Sequence, residues 1–333
     1  MRRVILKSGE EFSNLHLQRK SAFNAKALQI ATEIVEDVRQ RGDECLRELT
    51  AKFDGVEVEN FRVPQEAIDE DYVHHFQAQM DDIKKYVERQ IGTFLTPIRS
   101  RDAFFGSAAF IDYIHQLQLE ESHADISLTA PQVFNTEIKA GPVYMSDMFK
   151  LYRFENQIYT LRMTGREVKQ LLELSYDQWV NTMKSPEDHI MMLAPKAPGD
   201  NQREGFKNYT FNFDSAAGID YEVDVTKPDG QKVSIKQFSD GRKFDENAWY
   251  LVAMNSYRGN GGGELLTRGA GIPMDSIPSR IVSMSKRDLR YYLTRKIERE
   301  GNVNPQPLNN WRFVPEKWTK PAIERDRKLL FKE

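Results

Sequence analysis

Cysteine is nearly missing from this chain: Cys45 is the single one among 333 residues. That excludes an intrachain disulfide and a cysteine-based zinc cluster. Cys45 lies in an apparent helix beside Leu46 and Leu49, and it reads as a small core hydrophobe, because free cysteine is usually buried and inert. Long apolar runs are missing as well. No stretch approaches the roughly 20 residues of a bilayer-crossing helix, so no membrane association is expected. The opening MRRVILKSGEEF holds two arginines but only a short apolar stretch. A secretory signal needs about 7–15 apolar residues, so the chain as written is expected in the cytoplasm. Charge of one sign is not in excess either. There are 47 Lys and Arg against 50 Asp and Glu, a net charge of −3, which gives no electrostatic footprint for a nucleic-acid polymer. A small anionic ligand stays open, since a local site can be basic on a neutral surface.

Motifs for metals and nucleophiles are scarce in the same way. The six histidines are His16, His74, His75, His115, His123 and His189. His74 and His75 are adjacent and point to different sides of any helix, and His115 and His123 have no carboxylate pair at ligand spacing. No Ser-His-Asp order or Rossmann glycine pattern stands out. The sequence therefore assigns no catalytic residue, no metal ligand and no cofactor to this chain.

What is present is ordinary for a globular protein: 40% hydrophobic and 29% charged residues. The length suits one large domain or two ordinary ones. The first 70 residues read as helical. Ala27, Ala31, Ile34, Val35 and Val38 share a face, with Asn24 as a cap and Gly42 as a stop. Asp43 caps a second helix, Asp54-Gly55 turns, and Val56–Val63 reads as a strand. Pro64 can open a long helix whose stripe of Val73, Phe76, Met80, Ile83 and Val87 is expected to pack on the protein, with Gly92 as its stop.

From Arg101 the character changes. A helix is expected over Ala108–Leu119, a buried strand over Ala124–Thr129, a loop over Ala130–Gly141, and a short helix from Ser146 through Leu151. Gln157–Met163 reads as a strand, and Thr164-Gly165-Arg166-Glu167 as a capping box that opens the next helix. The polar stretch Lys184–Lys207 reads as a surface loop. Ile219, Tyr221, Val223 and Val225 alternate with acidic residues, and Pro228-Asp229-Gly230 turns that strand back through Val233 and Ile235. Trp249–Met254 is another strand, ending in the glycine loop Gly259–Gly263. A last helix is expected over Lys286–Glu300. Strands and helices mix without strict alternation, which predicts an α+β domain with a mixed sheet and flanking helices after a mainly helical N-terminal segment.

Five segments carry a resemblance: ADISLTAPQVFNTEIKAGPV (124–143), LYRFENQIYTLRMTGREVKQLLELS (151–175), FNFDSAAGIDYEVDVTKP (211–228), LVAMNSYRGNGGG (251–263) and GNVNPQPLNNWRFVP (301–315). In collinear order they resemble the C-terminal domain of bacterial 2′,3′-cyclic-nucleotide 2′-phosphodiesterase/3′-nucleotidase, a branch of the 5′-nucleotidase superfamily. Residues 71–333 are assigned to that domain. VEDVRQRGDECLRELTAKFDGVEVENFRVPQEAIDE (35–70) is similar instead to the start of histidinol dehydrogenase, a zinc enzyme that uses NAD, so 1–70 is a separate segment. The pair implies a fusion with a junction between Ala67 and Gly92. A native helical extension that matches the dehydrogenase by chance is the alternative. An NAD- and zinc-dependent oxidoreductase is the rival function, and an inactive fusion product is the third.

The nucleotidase resemblance implies that Phe154 and Tyr257 sandwich a base, since stacking suits any flat π-face. Asn156 can offer a donor and an acceptor to a base edge. Gly261 and Gly262 let backbone approach a ligand. Arg153 and Arg258, with Arg101, are the cations that could meet a phosphate. Two departures weaken a phosphate grip: loop 129–134 has no arginine, and Gly263 stands where many members carry aspartate. The superfamily's two-metal hydrolytic centre uses D-x-H and G-N-H-D/E motifs, and neither occurs here. The resemblance thus implies a nucleoside- or nucleotide-binding part of a phosphoesterase, silent alone. A separate metallophosphatase chain would be its partner. That family is mostly periplasmic or secreted.

Overall fold

A computed structural model describes residues 25–59, 61–62, 70–195 and 205–332. The chain divides into two compact units, Met1–Gln79 and Met80–Glu333. The first holds helices α1 (Ala25–Arg41) and α2 (Asp43–Phe53) and the start of α3 (Glu70–Val87). Gly42, at φ 59°, makes the break between α1 and α2 in a region that favours glycine. Arg41 fixes the corner by reaching Asp37 at 2.6 Å and Glu48 at 2.9 Å. Cys45 is buried, as a small core side chain should be.

The strand expected over Val56–Val63 does not form in its described part, where 56–59 and 61–62 are irregular. Among the described residues of this unit there is no second strand to pair with it, and a lone strand cannot satisfy its backbone groups. Asn24 and Pro64, expected at helix starts, lie outside the described residues, as do positions 196–204 of the loop expected over 184–207. The apolar stripe of α3 is open at Met80 and Ile83 rather than packed.

The second unit continues with β1 (Gln90–Phe94), β2 (Ile98–Arg99), α4 (Ala109–Ser122), β3 (Ile126–Thr129), β4 (Glu137–Ile138), β5 (Gly141–Tyr144), α5 (Met148–Leu151), β6 (Gln157–Thr164) and α6 (Gly165–Trp179). There follow β7 (Ser215–Ala217), β8 (Ile219–Asp224), β9 (Val233–Phe238), β10 (Trp249–Asn255), α7 (Ser256–Gly259), α8 (Ile277–Arg280), β11 (Ile281–Asp288), α9 (Leu289–Glu300), β12 (Asn302–Val303), β13 (Trp311–Val314) and α10 (Glu316–Phe331). Gly92, expected as a helix stop, lies inside β1. A Cβ there would stand 2.6 Å from Ile297 of α9, so glycine serves close packing at that point.

The central sheet runs β11-β6-β10-β3-β7, with smaller sheets β12-β1-β5, β13-β8-β9 and β2-β4. The central sheet is mixed, with β3 parallel to β10 and the other neighbours antiparallel. The fold is the α+β architecture with flanking helices that the sequence predicts.

Strand alternation gives the sheet two different faces. Ile126, Leu128, Val252 and Met254 join a core with Val168, Leu171 and Leu172 of α6 and with Tyr221 and Phe313 of the β13-β8-β9 sheet. Ala253 joins a second core with Phe110, Ile114 and Leu117 of α4 and Leu293 and Ile297 of α9. Among the polar residues buried there is His115 of α4, whose ring nitrogens meet Ser127 Oγ at 2.9 Å and Ser215 Oγ at 3.1 Å. Burial pushes its pKa down to about 3. The ring is therefore neutral and joins α4 to β3 and β7.

Local signals set the joints. Thr164 Oγ1 accepts from Glu167 N at 3.2 Å while Glu167 Oε2 accepts from Thr164 N at 2.7 Å, the reciprocal cap that starts α6. The Pro228–Gly230 turn is tied down by Asp177, which accepts from Gly230 N at 2.8 Å and pairs with the buried Lys232 at 3.0 Å.

Candidate functional site

Sheet register decides which loops meet. Asn255, at the end of β10, faces Ile158, near the start of β6. The segment before β6, Phe154–Asn156, and the turn after β10, Tyr257–Gly263, therefore emerge at one edge. Because β3 runs parallel to β10, the loop after Thr129 emerges there too. Ser215 of β7 pairs with Thr129, which brings in the residues just before β7. Four chain segments, far apart in sequence, thus converge on one end of the sheet.

Between them lies a cavity of about 260 Å³ lined by Gln132, Phe154, Asn156, Phe211, Asn255 and Tyr257. Phe154 and Tyr257 are each 43% exposed, so both rings are open to a ligand. Phe211 is a third ring, set edge-on to Tyr257 with centroids 6.1 Å apart and planes at 89°. Tyr209 stacks behind Phe211 at 5.1 Å. The lining is mostly aromatic with three side-chain amides, a composition typical of pockets that bury a flat apolar body and orient it by a few polar groups.

The sequence places Phe154, Asn156 and Tyr257 in a site, and all three line this one cavity. It passes over Phe211, Gln132 and Asn255. Each of these lies in a segment that carries the nucleotidase resemblance, and that is the signal by which they could be found.

The amides differ in what they have left to offer. Asn156 is held at both ends: its Nδ2 donates to Tyr152 Oη at 3.2 Å, and its Oδ1 accepts from Ser256 Oγ at 3.2 Å. Asn255 Oδ1 caps α7 by accepting from Arg258 N at 2.8 Å, and its amide also meets the Tyr152 hydroxyl. Tyr152 is fully buried, and burial raises its pKa well above the ordinary tyrosine range. Gln132 Nε2 donates to Ala130 O at 2.8 Å. Its oxygen accepts from no donor among the described residues.

Arg258, a candidate phosphate cation from sequence, is 2% exposed. Its Nε and Nη2 each meet an Asp214 carboxylate oxygen at 2.9 Å, Nη2 also donates to Phe211 O at 2.9 Å, and Nη1 donates to Gly262 O. The fifth N–H, on Nη1, reaches Asn212 Oδ1 at 3.4 Å, so the guanidinium is committed to fastening the glycine turn and residues 211–214 together and has no donor to turn outward. Arg153 is exposed, with its guanidinium 5.3 Å from the Phe154 ring centroid. Arg101 is placed away from the cavity lining, donating to Asn135 Oδ1 at 3.1 Å.

The glycines make room for the protein's own side chains. A Cβ on Gly262 would stand 2.5 Å from Tyr257 Cε2, and one on Gly263 would stand 2.0 Å from Asn212 Oδ1. Gly261 and Gly263 have φ of 88° and 69°, in the left-handed region. The turn therefore seats the Tyr257 ring and closes over Arg258.

Among the described residues no group of three His, Cys, Asp or Glu side chains is placed to hold a metal ion. No helix there is long and apolar enough to cross a membrane.

Comparison with known proteins bears on each part of the chain. The histidinol dehydrogenase family profile matches residues 17–107. The histidinol dehydrogenase of Methanocaldococcus jannaschii is 45% identical over 56 residues, 17% of this chain and 13% of that enzyme. The N-terminal similarity is thus real but covers a small part of the dehydrogenase. The trifunctional nucleotide phosphoesterase protein YfkN of Bacillus subtilis is 30% identical over 204 residues, 57% of this chain and 12% of that protein. The 2′,3′-cyclic-nucleotide 2′-phosphodiesterase/3′-nucleotidase of Haemophilus influenzae is 31% identical over 194 residues, 54% of this chain and 27% of that protein. The chain therefore spans well under a third of the phosphoesterases it matches.

Two crystal structures share the fold. A putative 5′-nucleotidase of Staphylococcus aureus aligns with TM-score 0.57 at 20% identity, covering 78% of this chain and 45% of that one. A 5′-nucleotidase precursor of Thermus thermophilus aligns with TM-score 0.55 at 16% identity, covering 75% and 45%. The profile described as 5′-nucleotidase, C-terminal domain, matches residues 90–268, more than half of the chain and all of the cavity lining. By that match the chain belongs to the 5′-nucleotidase C-terminal domain family.

Proposed function

We propose that the second unit holds the base of a nucleoside or nucleotide, with Phe154 and Tyr257 against its faces and Phe211 as a side wall. The observation that carries this reading is the single cavity on which three partly exposed rings and three amides converge. Stacking on an aromatic ring contributes roughly 1–3 kcal/mol per base and tolerates base identity. The names of the two relatives reported for this part of the chain, both phosphoesterases of nucleotides, agree with that ligand class.

The phosphate contributes little in this proposal. Arg258 is committed to Asp214, loop 129–134 lacks an arginine, and Arg153 is a solvent-exposed cation of modest worth. Nucleosides then bind nearly as well as nucleotides. Calorimetry with AMP, adenosine and ribose 5-phosphate tests the reading. AMP and adenosine should bind within a few-fold of one another, and ribose 5-phosphate far more weakly. Equal binding of ribose 5-phosphate and AMP would place the affinity on the phosphate and end the base-holding proposal.

The same proposal makes the chain silent as a catalyst. The D-x-H and G-N-H-D/E motifs of the superfamily's metal centre do not occur in its sequence, and a separate chain bearing a metallophosphatase half would supply the hydrolytic chemistry. Purified protein assayed with cyclic and linear nucleotides plus manganese, cobalt or zinc should show no turnover. Phosphoesterase activity that co-purifies with the chain and disappears in a point variant would contradict this.

A further inference from the structure

Three amides line the cavity, and their hydrogen bonds separate them. Asn156 has its amide nitrogen on Tyr152 and its oxygen under Ser256, and Asn255, buried, has its oxygen under the Arg258 N–H. They stiffen the floor beneath the rings. Gln132 is tied at one end only. Its Nε2 donates to the carbonyl of Ala130 at 2.8 Å, and this bond fixes which way the amide points, because a flipped amide would set oxygen against oxygen. The outward-facing pair is then defined: Oε1, accepting from no protein donor among the described residues, and the second N–H of Nε2, a donor. The backbone behind it is also firm, since Ala130, the residue that follows β3, is buried.

We infer that Gln132 is the residue that reads the base, and that it selects bases carrying an exocyclic amino group beside a ring nitrogen, as adenine does. The inference rests on the base-holding proposal above and adds its specificity. The chemistry is complementary in one sense only. An amino group donates to Oε1 while the adjacent ring nitrogen accepts from the free N–H, the bidentate pairing by which glutamine recognises adenine. Hypoxanthine, with a carbonyl in place of the amine, sets an acceptor against Oε1. Because the Ala130 carbonyl holds the amide, Gln132 cannot turn over to suit the reversed pattern. Asn156, engaged at both ends, is a positioning residue and does not choose between the two bases.

Calorimetry with adenosine and inosine on four proteins tests this: wild type, Gln132→Met, Gln132→Ala and Asn156→Ala. Gln132→Met keeps the side-chain length without the amide, so it separates lost recognition from lost packing. Wild type should favour adenosine by about 5- to 150-fold, the span of one good bidentate contact. Both Gln132 variants should keep the wild-type melting temperature and bind the two nucleosides within about twofold of each other. Asn156→Ala should melt earlier and weaken both ligands in parallel, keeping the adenosine preference. Equal binding of adenosine and inosine by wild type overturns the role of Gln132 and leaves the base-holding proposal standing. Discrimination that survives in Gln132→Met, or that collapses in Asn156→Ala, overturns it as well. Failure of wild type to bind either nucleoside overturns both.

Discussion

Arg258 offers a sharp contrast between a structural and a ligand-binding role. Its side chain and that of Asp214 are 2% and 3% exposed, and the pair meets through two bonds of 2.9 Å. Replacing Arg258 by methionine leaves the Asp214 carboxylate buried without a cation and frees the carbonyls of Phe211 and Gly262. Breaking one side of a buried pair costs about 3–5 kcal/mol. In a unit of this size each kcal/mol moves the melting temperature by about 2–4 °C, so Arg258→Met should lower it by roughly 6–20 °C. Removing both charges should restore much of the loss, because an apolar pair of similar volume is often as stable as the ion pair it replaces. Differential scanning calorimetry of wild type, Arg258→Met, Asp214→Leu and the double variant measures the coupling. Affinities for adenosine and AMP should fall together in Arg258→Met, since the seat of Tyr257 is disturbed for both. A variant that melts with wild type and loses AMP while keeping adenosine would show a guanidinium serving a phosphate, and the structural reasoning would be wrong.

Two further outcomes follow from the site and its support. His115 is buried neutral, with a folded pKa of about 3 against an ordinary value near 6.5. The unfolded chain takes up a proton as pH falls below about 6.5 and the folded chain does not until about 3, so stability is full above that window and is lost downward through it, by at most about 1.4 kcal/mol per pH unit. Urea midpoints at pH 7 and pH 4 should therefore drop less in His115→Gln than in wild type, and an equal drop would mean the ring is not buried neutral. Gly262→Ala puts a methyl group 2.5 Å from the Tyr257 ring. It should weaken adenosine binding by at least fivefold, and unchanged affinity would show that the turn does not seat that ring.

Much of the fold is legible in the sequence where the signal is local. The capping box at Thr164–Glu167, the Pro228-Asp229-Gly230 turn and the alternation of Ile219–Val225 each place an element within a residue or two, because the physics that builds them acts over a few positions. The misses depend on partners. β11 reads as no strand, since Val282 and Met284 face outward and it is defined by pairing with β6. β1 is hidden by Gly92, which looks like a helix stop but serves contact with α9. α10 carries Pro321 inside it and draws its place from packing of Ala322 into the core. At the site, resemblance names Phe154 and Tyr257, but their convergence is a matter of β6–β10 register that no local pattern contains. Arg258 reads as a cation for a phosphate because sequence does not reveal that Asp214 lies opposite.

The base clamp is most directly tested by titrating adenosine into wild type, Phe154→Ala and Tyr257→Ala, with circular dichroism and melting temperature as controls for folding. Each ring should contribute roughly 1–3 kcal/mol of stacking, so each variant should stay folded and lose about 5- to 150-fold in affinity. Folded variants of both residues that bind adenosine as tightly as wild type would contradict the clamp.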